Sequence, residues 1–348
     1  MTAASAGIVR AGGGNLQTMQ KELQGRRSVP RTGPSSGDFS SARRVAPLWL
    51  GLLLLLGGAC AQAHEVSGFA PHNAWAAWSG QAWLWLLWAG GGALVLRGTM
   101  VLWRRAAVGA GIRRWQAACF VAGWLAIGVA VLSPLDALGE VLFWAHMVQH
   151  EVMMLVAAPL LVLSRPLAAL VWGLPPRWRP GAAVLARRLG LQAAMHMLTR
   201  PLTAWWVHAV VLWAWHAPAL FQAAVRQQGV HDVQHVSFFL AALVFWWALF
   251  QGGGGRGRHG AAVLYLFTTA VHTSMLGALL TFSPRPWYPV YEATASAWGW
   301  SALHDQQLGG LIMWVPGGMV YLVASLVLLA AWIGTDEHGD GMPAGAGR

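Results

Sequence analysis

Residues 146–163 read HMVQHEVMMLVAAPLLVL, in which two histidines four positions apart are followed by a long apolar run. The pattern H-x-x-Q-H occurs again at 231–235, where HDVQH is followed by an apolar run that continues to residue 250. Residues at positions i and i+4 lie on one face of a helix, so each pair predicts two imidazoles one turn apart. An imidazole is unfavourable in apolar surroundings unless it is paired, hydrated or coordinated. The two pairs, hereafter the first and second histidine boxes, therefore predict a shared centre.

The composition around these boxes is that of a membrane protein. The chain has 348 residues, of which 56% are hydrophobic and only 10% are charged, whereas a soluble domain has about 25% charged residues. The net charge of +11 is interpreted through arginines in the loops rather than through nucleic acid. Two cysteines, Cys60 and Cys119, exclude a disulfide framework and a thiolate metal site.

The N-terminal region predicts a leader and a secretory signal. Residues 1–40 are rich in Gly, Ser, Arg and Pro and are predicted to be disordered. A basic pair, a short apolar run and a small-residue cleavage site follow in order, at Arg43-Arg44, 47–57 and Ala61-Gln62-Ala63. We expect a leader and signal peptide over 1–63 and a periplasmic segment over 64–80, with an uncleaved anchor as the alternative.

Seven apolar runs long enough to cross a bilayer follow the signal. They lie at 81–103, 115–133, 141–163, 201–221, 232–250, 260–282 and 308–333. The loops 104–114, 164–200 and 251–259 carry twelve arginines. The alternate loops carry two, alongside the acidic residues Asp136, Glu140, Glu292 and Asp305. Cytoplasmic loops are enriched in Lys and Arg. The sequence therefore predicts an all-α polytopic membrane protein with seven transmembrane helices over 81–333, its N-terminus outside and a cytoplasmic tail at 334–348.

Two of the predicted loops have compositions of their own. The loop 164–200 predicts an amphipathic helix on the cytoplasmic face. The loop 283–307 is rich in Trp and Tyr and predicts a segment at the outer membrane interface.

This topology places six histidines from four spans at one outer level of the membrane. They are His146, His150, His216, His231, His235 and His304. His208 and His272 lie deeper. A single interfacial histidine is usually a hydrated side chain, but a repeated pair at matching depth favours a metal or cofactor site.

The available ligand types favour copper over zinc. Imidazole suits several transition metals and thioether favours Cu(I), and Met153 and Met154 follow His150 by three and four residues. Such methionines are more often packing residues, so they add modest weight. The zinc-protease pattern H-E-x-x-H is absent. The candidate ligands are His146, His150, His231 and His235, followed by His216, His304, Met153 and Met154.

Four stretches resemble the CtaG family, the seven-span assembly factor of caa-type cytochrome c oxidase. They are HMVQHEVMMLVAAPLLVLSRP at 146–166, WHAPALFQAAVRQQGVHDVQHVSFFLAALVFWW at 215–247, LGALLTFSPRPWYPVY at 276–291 and DQQLGGLIMWVPGG at 305–318. The resemblance covers about 80–335. It implies a non-enzymatic protein of the bacterial inner membrane that handles copper at the outer face. It also implies oxidase subunits, membrane lipid and other copper chaperones as partners, and no nucleic acid.

Two other functions remain open from the residues alone. A b-type haem subunit would use helix-borne histidines as axial ligands, although two histidines of one box cannot ligate the same haem. A membrane di-iron hydroxylase also carries H-x-x-x-H patterns. Such enzymes usually face the cytoplasm and contain a tandem His-His pair, which this sequence lacks.

Overall fold

A computed structural model describes residues 71–109, 111–251 and 256–337, and these ranges are helical without a β-strand. The predicted leader, signal peptide and cleavage site lie outside these ranges, as do residues 252–255 and 338–348. The α-helices, in chain order, are α1 (Ala82–Ala106), α2 (Arg114–Leu132), α3 (Pro134–Val141), α4 (Phe143–Glu151), α5 (Ala158–Ser164), α6 (Pro166–Gly173), α7 (Arg179–Arg188), α8 (Leu191–Leu198), α9 (Pro201–His216), α10 (Pro218–Arg226), α11 (Gln228–Gln251), α12 (Arg256–Thr281), α13 (Glu292–Ala297), α14 (Ala302–Ile312) and α15 (Gly318–Glu337).

Two of these helices continue through π-helical turns. The turn Val152–Ala157 joins α4 to α5, and the turn Met313–Gly317 joins α14 to α15 around Pro316. Short 3-10 helices lie at Ala74–Ala76, Pro176–Trp178 and Pro289–Tyr291.

Six helices among the described residues are long and apolar enough to cross a membrane. They are Ala82–Ala106, Arg114–Leu132, Phe143–Ser164, Gln228–Phe250, Gly260–Thr281 and Ala302–Ala330. The chain is therefore an all-helical, multi-pass membrane protein. The last of these begins earlier than the predicted 308, because the Ser301 hydroxyl accepts the backbone N–H of His304 and caps α14.

The predicted fourth span, 201–221, is divided in the structure. Helix α9 ends at His216 and α10 begins at Pro218. The residue between them, Ala217, has φ −62° and ψ 129°, the extended conformation expected of a residue that precedes proline. The 16 residues of α9 correspond to about 24 Å at 1.5 Å per residue, which is shorter than a bilayer core of about 30 Å.

The loop 164–200 contains three short α-helices, α6, α7 and α8, of which α7 and α8 lie in the stretch after Pro175-Pro176. Its first helix, α6, packs directly on α1. A side chain at Gly98 would overlap the backbone of Ala169, and one at Gly173 would overlap the backbone of Leu94. The two helices can approach this closely because both contact positions are glycine.

The main core lies among α4, α5 and α9 to α12, and the loop 283–300 closes it at one end. Tyr288 and Tyr291 of this loop, which was predicted to lie at the outer membrane interface, are buried within the protein. The Tyr288 ring stacks 5.0 Å from Phe143 and 4.2 Å from Phe221. The loop therefore folds into the aromatic core because its tyrosines fill space above α4 and α10.

Candidate metal centre

The first histidine box lies on α4, and a distant carboxylate defines where that helix starts. Asp305 is fully buried and accepts the backbone N–H groups of Phe143, at 2.7 Å, and Trp144, at 2.9 Å. The first N–H groups of a helix lack partners within the helix, and a negative charge there is favourable. Asp305 thus caps α4, which sets the position of His146 and His150 one and two turns later.

The two histidine boxes face each other across α4 and α11. Within the boxes, ring centroids are 4.4 Å apart for His146 and His150 and 4.0 Å apart for His231 and His235. Between the boxes, His146 lies 5.2 Å from His231 and 5.9 Å from His235, and His150 lies 5.2 Å from His235. Four imidazoles from two helices, up to 89 positions apart in the sequence, therefore form one cluster, hereafter the outer cluster.

Two groups of side chains in this region have ligand atoms close enough to share an ion. One consists of His146, His150 and His235, whose ligand atoms lie within 4.8 Å of one another. The other consists of Asp136, His231 and His235, whose ligand atoms also lie within 4.8 Å of one another. The shared member, His235, is only partly buried, whereas the other three histidines are buried.

The nitrogens of the outer cluster are largely unpartnered. His146 Nε2, both nitrogens of His150, His231 Nε2 and His235 Nε2 are buried and have no hydrogen-bond partner among the described residues. Leaving a buried polar atom unpaired costs about 1–3 kcal/mol. A bound cation would satisfy several of these nitrogens at once, so the donor set fits a transition metal.

The tautomer of His146 follows from its neighbours. Its Nδ1 lies 3.2 Å from the carbonyl oxygen of Gly139, which also accepts the Tyr291 hydroxyl at 2.9 Å. Because a carbonyl oxygen only accepts, Nδ1 carries the proton and Nε2 keeps its lone pair for the cluster. A hydrogen bond from the ring nitrogen that does not bind the metal, here Nδ1, orients a metal-binding imidazole.

Asp136 was not predicted as a site residue. It lies on the short helix α3, where it was counted among the charges of an outer loop. Its Oδ1 accepts a 2.7 Å hydrogen bond from Gln149 Nε2, the glutamine of the first box. Burial raises the pKa of the Asp136 carboxyl to about 7. The hydrogen bond from Gln149 lowers this pKa, and the nearby Glu140 and Asp232 raise it further. The sequence signal was an acidic residue next to a histidine-bearing span.

The remaining predicted ligands lie around or outside the outer cluster. His216 is buried. The rings of Phe221 and Phe238 lie 6.3 and 6.0 Å from its ring and also pack against the first box. Its Nδ1 is 2.7 Å from the Leu212 carbonyl, and its Nε2 has no partner within the described ranges. His304 is exposed at the start of α14. Met153 and Met154 are buried in the π-helical turn, and Met154 belongs to the aromatic core.

Comparison with known proteins gives one family and two relatives. A family model described as cytochrome c oxidase caa3 assembly factor matches residues 93–335, a range that contains both boxes, Asp136 and Asp305. An uncharacterized protein of Mycobacterium bovis and one of Mycobacterium tuberculosis are each 25% identical over 212 residues, 59% of this chain and 32% of the relative. The chain thus spans about a third of the length of these curated relatives. No solved structure matches it.

Proposed function

The chain belongs to the cytochrome c oxidase caa3 assembly factor family, and on that premise we propose that it binds copper at the outer cluster and passes it to the oxidase. The family is not a class of enzymes, and the proposed role is transient holding of a metal cargo. One observation carries the proposal: four imidazoles from two helices present five buried nitrogens without hydrogen-bond partners among the described residues.

The donor chemistry favours copper as the cargo. Imidazole ligands suit copper and zinc, and the cluster lacks the thiolates typical of closed structural zinc sites. The two three-ligand groups share His235, so an ion can exchange one set of ligands for the other without being released. Such exchange suits delivery to a partner, because the ion keeps protein ligands at every stage and is never left uncoordinated in a buried site.

No observation favours the b-type haem alternative. Axial ligation requires imidazoles on opposite faces of a macrocycle. The two rings of each box pack at 4.4 and 4.0 Å on one helix face, so neither box alone supplies both ligands of a haem.

We place the outer cluster on the periplasmic side of a bacterial inner membrane. Helix α9 supplies the fourth of seven crossings in this proposal, with α10 completing its outer end. The support is the distribution of arginines, twelve in the loops assigned to the cytoplasm and two in the alternate loops.

A reporter that folds only outside the cytoplasm tests this orientation. Alkaline phosphatase fused after residue 348 is expected to be inactive, and the same enzyme inserted next to Gly299, in the loop between α13 and α14, is expected to be active. A cytoplasmic reporter at the same two positions should give the reverse pattern. Phosphatase activity from the C-terminal fusion would contradict a periplasmic cluster.

Copper titration of the purified protein tests the binding site. Cu(I) loading in the presence of a competing chelator should give at least one retained ion per chain, and changing His146, His150, His231 and His235 to Ala should remove it. The matched control changes the exposed histidines His72, His196 and His304 to Ala and should bind as the unaltered protein does. Equal Cu(I) binding by the four-histidine variant would refute the proposal.

A cellular measurement connects binding to assembly. Cells with the four-histidine variant should have reduced cytochrome c oxidase activity, and added copper should restore part of it. The exposed-histidine control should leave the oxidase unchanged. Normal oxidase activity in copper-limited cells that carry the four-histidine variant would contradict a role of this cluster in assembly.

A further inference from the structure

We infer that a second site for a cuprous ion lies deeper in the same bundle, between His208 of α9 and His272 of α12. This inference rests on the proposed copper-handling function and extends it beyond the outer cluster. His208 is buried, its Nδ1 has no hydrogen-bond partner, and neither nitrogen of His272 has one, within the described residues. Three unpartnered imidazole nitrogens thus meet in the interior, away from the two boxes.

The separation of the two rings suits a shared ion. Their centroids are 5.9 Å apart. A metal–nitrogen bond of about 2.0 Å on each side, with about 1.1 Å from nitrogen to ring centre, gives a centroid separation near 6 Å for linear coordination. Cu(I) accepts such low coordination, so the pair needs little movement to bind it.

Aromatic side chains enclose the pair. The ring of Phe245 lies 4.7 Å from His208, and the ring of Trp205 lies 5.3 Å from His272. The Tyr321 hydroxyl is 3.5 Å from His208 Nε2. His272 is partly exposed as a residue, but the three free nitrogens are themselves shielded from solvent, and coordination would satisfy them.

The depth of the His208–His272 pair relative to the outer cluster can be measured along α9 and along α11. His208 and His216 are eight residues apart on α9, about 12 Å along the helix axis. Phe238 contacts His150 at 4.5 Å and Phe245 contacts His208 at 4.7 Å, and these two phenylalanines are seven residues apart on α11, or about 10 Å. Two helices therefore place the second site about two turns deeper than the first.

The hydrogen bonding favours an ion over a proton relay. A relay requires a chain of hydrogen bonds, but His272 has none from its ring among the described residues, and the contact between Tyr321 and His208 is at the 3.5 Å limit. Nitrogen lone pairs without a hydrogen-bond donor nearby are suited to metal coordination rather than to proton transfer. The pair therefore resembles a coordination site.

The charge balance favours a monovalent ion. The desolvation energy of an ion rises with the square of its charge, so a divalent ion needs more compensation in a buried site. Two neutral imidazoles supply no compensating negative charge, which matches Cu(I) better than Cu(II) or Zn(II).

Copper stoichiometry of three full-length variants tests the second site. Changing His208 and His272 to Gln should lower the retained Cu(I) by one ion per chain, and the four-histidine outer variant should keep that deeper ion. The matched control changes the exposed pair His72 and His196 to Gln and should retain all copper. Each protein is first checked for a single size-exclusion peak and for its metal-free melting temperature.

The outcomes separate the two proposals. Unchanged copper in the His208/His272 variant, together with loss in the outer variant, would overturn the second site and leave the proposed function intact. Loss in the His208/His272 variant with none in the outer variant would support the deeper site and refute the outer one. No loss in either variant would overturn both.

A spectroscopic measurement keeps the test valid if the deeper variant does not fold. The outer four-histidine variant, in which His208 and His272 are intact, is loaded with Ag(I) as a redox-inert analogue of Cu(I). X-ray absorption should then show two nitrogen neighbours at the bound silver. Failure to retain silver, or a first shell without imidazole nitrogen, would overturn the inference.

Discussion

The two histidine boxes share the pattern H-x-x-Q-H, but their glutamines have opposite surroundings. Gln149 of the first box donates to the carbonyl oxygen of Ala130 at 2.8 Å and to Asp136 at 2.7 Å. Gln234 of the second box is equally buried and lies beside His146, yet neither its amide nitrogen nor its oxygen makes a well-aligned hydrogen bond among the described residues. The repeat in sequence is therefore not a repeat in structure.

The helix starts differ in the same way. Helix α4 is capped by Asp305, which is 162 positions away from Phe143 in the chain. At the start of α11 the side-chain bond is local, from Gln228 to Asp232 at 3.0 Å. The first box is thus anchored by long-range hydrogen bonds at its helix start and at its glutamine, whereas the hydrogen bond found at the start of the second box is local. We interpret the first box as the fixed half of the outer cluster and the second as the half that adjusts when an ion binds.

Removing the Asp305 carboxylate should have the largest effect on this difference. Asp305→Ala leaves two N–H groups at the start of α4 without their acceptor, and we expect the free energy of unfolding to fall by about 3 kcal/mol. Unfolding in mixed detergent, followed by the loss of helical circular dichroism, measures it. The adjacent exposed residue provides the control, since His304→Ala should change the value by less than about 0.5 kcal/mol. Similar losses in both variants would show that α4 does not depend on this cap.

The two glutamines provide a smaller and more direct comparison. Gln149→Leu removes two hydrogen bonds, one of them to a carboxyl group, and should lower the free energy of unfolding by about 2 kcal/mol. Gln234→Leu removes an amide that makes no well-aligned hydrogen bond in the described structure and should be neutral or stabilising by up to about 1 kcal/mol. Each serves as the control for the other in the same unfolding assay. Equal destabilisation would contradict the distinction between an anchored and an adjustable box.

Much of the membrane architecture could be predicted because span length and apolar composition are local properties. The predicted span 81–103 corresponds to Ala82–Ala106, and 115–133 corresponds to Arg114–Leu132. The break in the predicted fourth span was also readable in principle, since Pro218 disfavours a helical Ala217. The orientation of the spans remains a prediction from the arginine distribution.

The candidate site was less accessible, because its members come from separate elements. Helical spacing alone placed His146 and His150 on one face, but it did not indicate which helix would lie opposite. Asp136 was counted as a loop charge because its bond to Gln149 depends on how α3 folds back against α4. His304 shares the predicted level with the other histidines, but it is exposed at the start of α14.

The sequence by itself determined that this chain is a helical membrane protein of the oxidase assembly family, with two histidine pairs on helix faces. Those features follow from composition and from periodicity within single segments. Only the tertiary structure decided that the pairs face each other, that Asp305 caps the helix of the first box, and that Gln149 is hydrogen-bonded while Gln234 makes no well-aligned hydrogen bond among the described residues. Identical motifs acquire different roles because hydrogen-bond partners are supplied by the surrounding fold, and contacts between distant segments are not encoded in any one stretch of sequence.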